Sequence, residues 1–407
     1  MTNKELYDLS IKLHSLTIFK SLKDNDVIST LMKYLDVKES SEIENVGKLV
    51  ELYSEFVSGL FAQGDGNLAN YIKTIVLDDE NVYVKLVGLK KNISKSMKTC
   101  LDRELDILQR VATLTPEKLR EGLDWEDFLP GWDIEEINLK EDYFNRMENI
   151  SKFGYGMYAK YHMFYIDNSA QIVPVKNPDP ILLSDLIDYK NEQQIILDNT
   201  QALLNDKPAS NVLLTGDAGT GKSSTIKAIC NELYKEGLRI LEVRKEQLRE
   251  IPAILDELTI NPLKFIIFID DLSFQKDDDN YSALKAILEG SVSAKSKNVV
   301  IYATSNRRHL IKEKFSDREG DDIHANDTMQ ESISLSERFG IQITFSKPDK
   351  KTYLEIVKHL ADQNGITYNI DILNKEAEKF ALSRGGRSAR AAKQLIDLAL
   401  SGTIKFN

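Results

Sequence analysis

The chain has 407 residues, enough for two or three domains around sizeable cores, and its 42% hydrophobic and 29% charged content excludes disordered and fibrous classes. A net charge of -11 argues against a surface that attracts nucleic acid as a whole and leaves only a local basic groove open. Two distant cysteines, Cys100 and Cys230, and five histidines without ligand spacing make neither a disulfide framework nor a structural metal site.

The opening "MTNKELYDLSIKLHSL" has no apolar core of a leader, and the longest apolar runs, such as "FIIFI", are strand-sized. No membrane contact is expected, and a cytoplasmic location is the simplest expectation. Residues 1–175 read as a mainly helical N-terminal region. "NKELYDLSIKLHSLTIF" and "VGKLVELYSEFVSGLFA" repeat apolar residues at three-four spacing, and "KLVGLKKNISKSMKTCLDRELDILQRV" is a third, more basic helical stretch. The segment 143–166 is rich in aromatics, and its "KFGYGMY" reads as core or interface packing. "YHMFYID" and "AQIVPVK" flank Asn168-Ser169 and suit a hairpin. The proline-broken "KNPDP" at 176–180 reads as a linker.

The texture then changes. "SNVLLTG", "LRILEV", "KFIIFIDD", "KNVVIYATS" and "IQITF" are short Ile/Val/Phe-rich strands alternating with helical segments. That alternation predicts an α/β core with a parallel sheet covered on both faces, over 176–346. From 347 to 407 the pattern is helical again, a small C-terminal lid.

The first strand runs into Gly216-Asp217-Ala218-Gly219-Thr220-Gly221-Lys222-Ser223, a full GxxxxGK[ST] between a strand and a helix. Its glycines let successive N–H groups face phosphate oxygens, and the following helix adds positive potential. Lys222 would reach the β- and γ-phosphates and Ser223 would bind Mg²⁺, with Ser224 closing the phosphate-binding set. Asp270 ends a buried strand at the edge where open α/β sheets bind ligands, and suits an Mg²⁺ held largely through water. Asp271 is placed to polarise an attacking water. Asn306, after the fourth strand, carries an amide suited to the γ-phosphate or to that water; Arg307 and Arg308 follow it.

These motifs, in this order and with "SLSERFG" and a helical lid, resemble the AAA+ ATPase superfamily of P-loop proteins. "NVLLTGDAGTGKSS", "FIDDLSF", "YATSNRRHL" and "SLSERFG" are similar, more narrowly, to a bacterial AAA+ family of unknown function, domain of unknown function 815, over roughly 176–407. The resemblance implies ATP and Mg²⁺ as ligands and hydrolysis to ADP and phosphate. It implies Asp270 as the Walker B acid, Asp271 as the catalytic carboxylate and Asn306 as sensor one. Arg338 would be an arginine finger toward a neighbouring subunit of a homo-oligomer, and Arg387 the lid sensor, with Arg390 as the second candidate. "LLSDLIDYKNE" would lie beside the adenine, with Asp188-Tyr189 where the commoner pattern has glycine.

The segment after the second strand, "EVRKEQLREIPAIL", lacks the aromatic-hydrophobic-Gly loop of protein-threading machines. No helix-turn-helix is recognisable among these residues, so a duplex-reading role is not expected. The polar, acidic segment 312–333 points toward a protein partner or a subunit neighbour. Two functions are consistent with these features. One is an ATPase that drives conformational change or remodelling of an unidentified protein or nucleoprotein partner through its N-terminal region. The other is an ATP-gated interaction or loader protein, helicase-loader-like included, with little turnover.

Overall fold

The computed structural model of the protein describes residues 3–39, 46–123, 128–274, 279–289, 297–306 and 335–406. Arg307, Arg308 and the segment 312–333 lie outside the described residues. The chain divides into two compact units, Met1–Lys160 and Tyr161–Asn407.

The first unit is helical: α1 (Asn3–His14), α2 (Asp26–Glu39), α3 (Val46–Gly64), α4 (Leu68–Leu77), α5 (Val82–Gly88), α6 (Lys95–Ala112), α7 (Pro116–Arg120), α8 (Leu139–Glu148), α9 (Ile150–Phe153) and α10 (Met157–Lys160). Short polar residues start several of them. Asn67, Asn81, Ser94, Thr115 and Asn138 each accept a first-turn N–H with the side chain. The basic stretch that periodicity reads as one helix is two, α5 and α6. Lys90 takes a left-handed φ of 53°, its N–H bonds Val87 O at 2.9 Å, and Ser94 then caps a new helix. The core is aromatic, with Tyr34 edge-on to Tyr53 and Phe56 edge-on to Trp132. In "KFGYGMY", Tyr155 and Tyr158 are buried, and Gly156 donates its N–H to Asp78 O at 2.8 Å. A further tie is Glu104 on α6, 3% exposed, which accepts the N–H groups of Thr17 at 2.7 Å, Ile18 at 3.0 Å and Phe19 at 3.0 Å.

Among the described residues the second unit has seven strands: β1 (Met163–Ile166), β2 (Ile172–Pro174), β3 (Val212–Gly216), β4 (Leu238–Glu242), β5 (Lys264–Ile269), β6 (Val299–Ser305) and β7 (Ile341–Phe345). Their order across the sheet is β2-β1-β4-β5-β6-β3-β7. Every pairing is parallel except β1 with β2. β5 and β6 are buried at every position, as strands covered on both faces must be. Between and after the strands come α11 (Lys190–Leu204), α12 (Lys222–Leu233), α13 (Ile251–Thr259), α14 (Asp279–Glu289), then α15 (Lys350–Gln363), α16 (Ile370–Ser383) and α17 (Ala389–Leu400). The last three form the lid around Tyr353, Val357, Leu373, Ala377 and Leu395.

The hairpin falls on the other side of the boundary expected at 175/176. β1 pairs parallel with β4, Phe164 opposite Leu241, so the hairpin extends the core sheet rather than the helical region. Alternation within one hairpin carries no information about which distant strand edge it joins.

Candidate functional site

β3 lies between β6 and β7, and the cleft opens at its C-terminal end, where such sheets bind ligands. The turn out of β3 depends on glycine. Gly216 has φ 133°, and a Cβ there would stand 2.0 Å from the Phe345 carbonyl oxygen of β7. Gly219 and Gly221 have φ 79° and 93°, and α12 begins at Lys222 directly after Gly221.

Lys222 is 5% exposed. Its Nζ donates to Gly216 O at 2.9 Å, Asp217 O at 2.7 Å and Asn306 Oδ1 at 3.1 Å. Burial pulls its pKa below the ordinary lysine value, Asp270, Asp217 and Asp271 oppose that, and the Arg390 charge adds to it. Ser223, the next residue, donates its hydroxyl to Asp270 Oδ1 at 2.6 Å. Asp270 follows β5, while Thr304 and Asn306 come from the end of β6. Thr304 Oγ1 donates to the same Asp270 oxygen at 2.5 Å. Asp271 sits at φ 53°, left-handed and rare for a residue with a Cβ, and Asn306 Nδ2 donates to its Oδ1 at 2.7 Å. Asn306 thus joins Lys222 to Asp271. The sequence candidates Lys222, Ser223, Asp270, Asp271 and Asn306 meet in one cleft of about 760 Å³, within the range of small-molecule sites.

The far end of the cleft is more apolar, with Leu186 and Ile187 facing Ile356 and Leu360 of the lid. Ile187 packs on the lid core, and Gln363 Nε2 donates to Asp185 Oδ1 at 3.2 Å. Asp188 and Tyr189 also line the cleft. Tyr189 has φ 66°, a conformation that glycine would adopt without strain. It is held there by its ring on Phe345, with centroids 4.6 Å apart, by its hydroxyl on Ser346 O, and by its N–H on Asp188 Oδ1 at 2.8 Å. Burial pushes the Asp188 carboxyl up from its usual range. Gln193, buried on α11, donates to Asp188 O at 2.8 Å and fixes the loop.

The arginines separate. Arg338 lies against Glu289, with Nε 2.9 Å from Oε1, and does not line the cleft of its own chain. Arg387 forks onto Glu378 inside the lid and does not line the cleft either. Arg390 does line it. The Arg390 N–H bonds Gly219 O at 3.2 Å, and a Cβ on Gly219 would stand 2.9 Å from Arg390 Cβ. Lys347, at the start of the lid, donates to Gly385 O at 3.3 Å and lies 3.9 Å from Asp217 Oδ1. The resemblance puts Arg387 first as the lid sensor, with Arg390 second; of the two, Arg390 is the one that lines the cleft. Gln193 and Lys347 carry no sequence signal, since both act through contacts across the fold. Among the described residues no cluster of His, Cys, Asp and Glu forms a separate metal site.

Comparison with known proteins gives one family and several distant likenesses. The family described as "Protein of unknown function (DUF815)" matches residues 159–403, more than half of the chain. The human Replication factor C subunit 5 is 32% identical over 120 residues, 27% of this chain and 34% of that protein, so the chain spans about a third of the length of the curated relative it matches. The RuvB Holliday junction branch migration motor of Thermotoga maritima superimposes with a TM-score of 0.37 at 18% identity, over 56% of this chain and 68% of that chain. The FIGL-1 AAA domain in complex with ADP does so with a TM-score of 0.38 at 17% identity, over 56% and 74%. By the match over 159–403, the chain belongs to the family described as Protein of unknown function (DUF815).

Proposed function

We propose that the chain binds ATP with Mg²⁺ and hydrolyses it to ADP and phosphate, and that the cycle drives remodelling of a protein or nucleoprotein partner. The observation that carries this is the convergence of Lys222, Ser223, Asp270, Asp271 and Asn306 on one cleft beside a glycine turn and a helix N-terminus. The residues fit the ligands. Three left-handed glycines leave the cradle open to phosphate, and a hydroxyl beside a carboxylate is the hard oxygen set that Mg²⁺ takes. Mg²⁺, held by Ser223 and Asp270, would neutralise charge developing on the phosphates.

The remaining roles fall to the chain's own groups. Residues 216–224 cradle the phosphates, and Lys222 moves from backbone carbonyls to the phosphate oxygens. Asp271, oriented by the Asn306 amide, polarises the attacking water. Leu186, Ile187, Ile356 and Leu360 shield the base. Arg390 carries the lid's charge to the phosphates. Arg338, outside its own cleft, serves the neighbouring cleft of a homo-oligomer. Within this scheme 176–346 is the nucleotide core, 347–407 the lid, and the N-terminal region the part that meets the partner, in the cytoplasm. Among the described residues no helix is long and apolar enough to cross a membrane.

The test is binding of a fluorescent ATP analogue with and without Mg²⁺, then phosphate release and size-exclusion chromatography. Lys222→Ala should abolish binding, and Arg338→Ala should abolish turnover without abolishing binding. Normal turnover by monomeric Arg338→Ala removes the trans role. A second reading, an ATP-gated interaction protein with little turnover, is favoured by the short Asp271 side chain and its bond to Asn306. If Asp271→Asn leaves partner capture intact while wild-type turnover is negligible, the second reading holds.

A further inference from the structure

Thr304, near the end of β6, is 1% exposed and spends its polar atoms on the end of the neighbouring strand. Its hydroxyl donates to Asp270 Oδ1 at 2.5 Å and accepts the Asp271 N–H at 3.0 Å. Its carbonyl accepts the Leu272 N–H at 2.7 Å. One residue therefore holds three consecutive residues of the segment that carries both carboxylates. A hydroxyl has a single hydrogen. Given to Asp270, it leaves the lone pairs for Asp271, and the two bonds polarise each other.

We propose that Thr304 is the positioning residue that aims Asp270 at the metal and holds Asp271 in its left-handed turn. The inference rests on the reading of the cleft as an Mg²⁺-nucleotide site. Ser223 shares Asp270 Oδ1 with Thr304, at 2.6 Å. Ser223 is itself wanted by the metal, so once its oxygen turns there Thr304 is the hydroxyl left to fix the carboxylate. Asp271 has no equivalent second support for its N–H: its other contact, to Asp270 Oδ1, is longer at 3.2 Å. The side chain of Asp271 is steered separately by Asn306, so the two β6 residues divide the work, Thr304 on the backbone and Asn306 on the carboxylate.

The experiment compares Thr304→Val, which keeps the branched shape and loses the hydroxyl, with Thr304→Ser, which keeps the hydroxyl. A fluorescent ADP is titrated first without metal and then with increasing Mg²⁺, and phosphate release is followed in parallel. Thr304→Val should bind metal-free ADP like the wild type, while needing about ten- to a hundredfold more Mg²⁺ for half-maximal tightening and losing kcat by a similar factor, the usual loss when a group behind a metal ligand is removed. Thr304→Ser should restore both. If valine prevents folding, Thr304→Ala is read in the same way. A Val or Ala variant with the wild-type Mg²⁺ midpoint overturns the inference, as does a Ser variant impaired as much as Val. A wild type whose nucleotide affinity ignores Mg²⁺ overturns the proposed function itself, and this inference with it.

Discussion

Arg387 lays its guanidinium across Glu378 in a two-point fork, Nε to Oε1 at 2.9 Å and Nη2 to Oε2 at 2.7 Å, both residues belonging to the lid. A guanidinium so engaged braces the lid from within. Arg390, three residues on, meets the Gly219 turn of the cleft instead. Arg390→Ala should therefore lower kcat on the order of a hundredfold, the scale of losing one charge-stabilising donor. Arg387→Ala should lower the melting temperature and leave kcat near the wild type. Steady-state phosphate release beside differential scanning fluorimetry separates the two.

The same pair sets a pH dependence. Arg387 holds the Glu378 carboxyl below its ordinary value of 4.5. A carboxylate depressed in the folded state stabilises it fully above the unfolded value, and the contribution fades as pH falls through the folded one. The gap in melting temperature between wild type and Glu378→Gln should be widest at neutral pH and narrow as pH falls below 4.5. A gap that stays constant across that range removes the pairing.

Asn306 touches both Lys222 and Asp271, so removing it differs from removing the carboxylate. Asp271→Asn should keep nucleotide binding and lose turnover, trapping the ATP state. Asn306→Ala should lose turnover on the order of a hundredfold and also change metal-free nucleotide affinity, because Lys222 loses a partner. Isothermal titration with ADP and a turnover assay on both variants check the split.

Gly216→Ala places a Cβ 2.0 Å from a backbone oxygen that no rotamer moves. The loss should exceed about 2 kcal/mol, from strain at φ 133° together with a displaced β7. Chemical denaturation against Gly221→Ala, where an added Cβ meets nothing within 4 Å, isolates the clash from the conformational strain.

In the first unit, Glu104→Gln replaces an acceptor for three N–H groups with a half-donor. It should destabilise that unit by about 1–3 kcal/mol, the loss for buried donors left poorly paired. Trp132 is buried in the core of this unit, so its fluorescence during urea unfolding reports on it.

The sequence by itself determined the five core strands, the cradle and the order of its partners, because each is a local pattern: an apolar run, a glycine spacing, a carboxylate at a strand end. The backbone physics that makes β3 stop at Gly216 and α12 start at Lys222 acts over a few residues, and so it is written in them. The tertiary structure alone decided where the hairpin joins the sheet, which lid arginine meets Gly219 and which braces Glu378, and that Thr304 stands behind both carboxylates. Most of these contacts join distant segments, 34 residues apart for Thr304 with Asp270, although Arg387 and Glu378 stand only 9 residues apart. A pairing at that distance depends on how sheets and helices dock, and docking leaves no periodic trace in either partner.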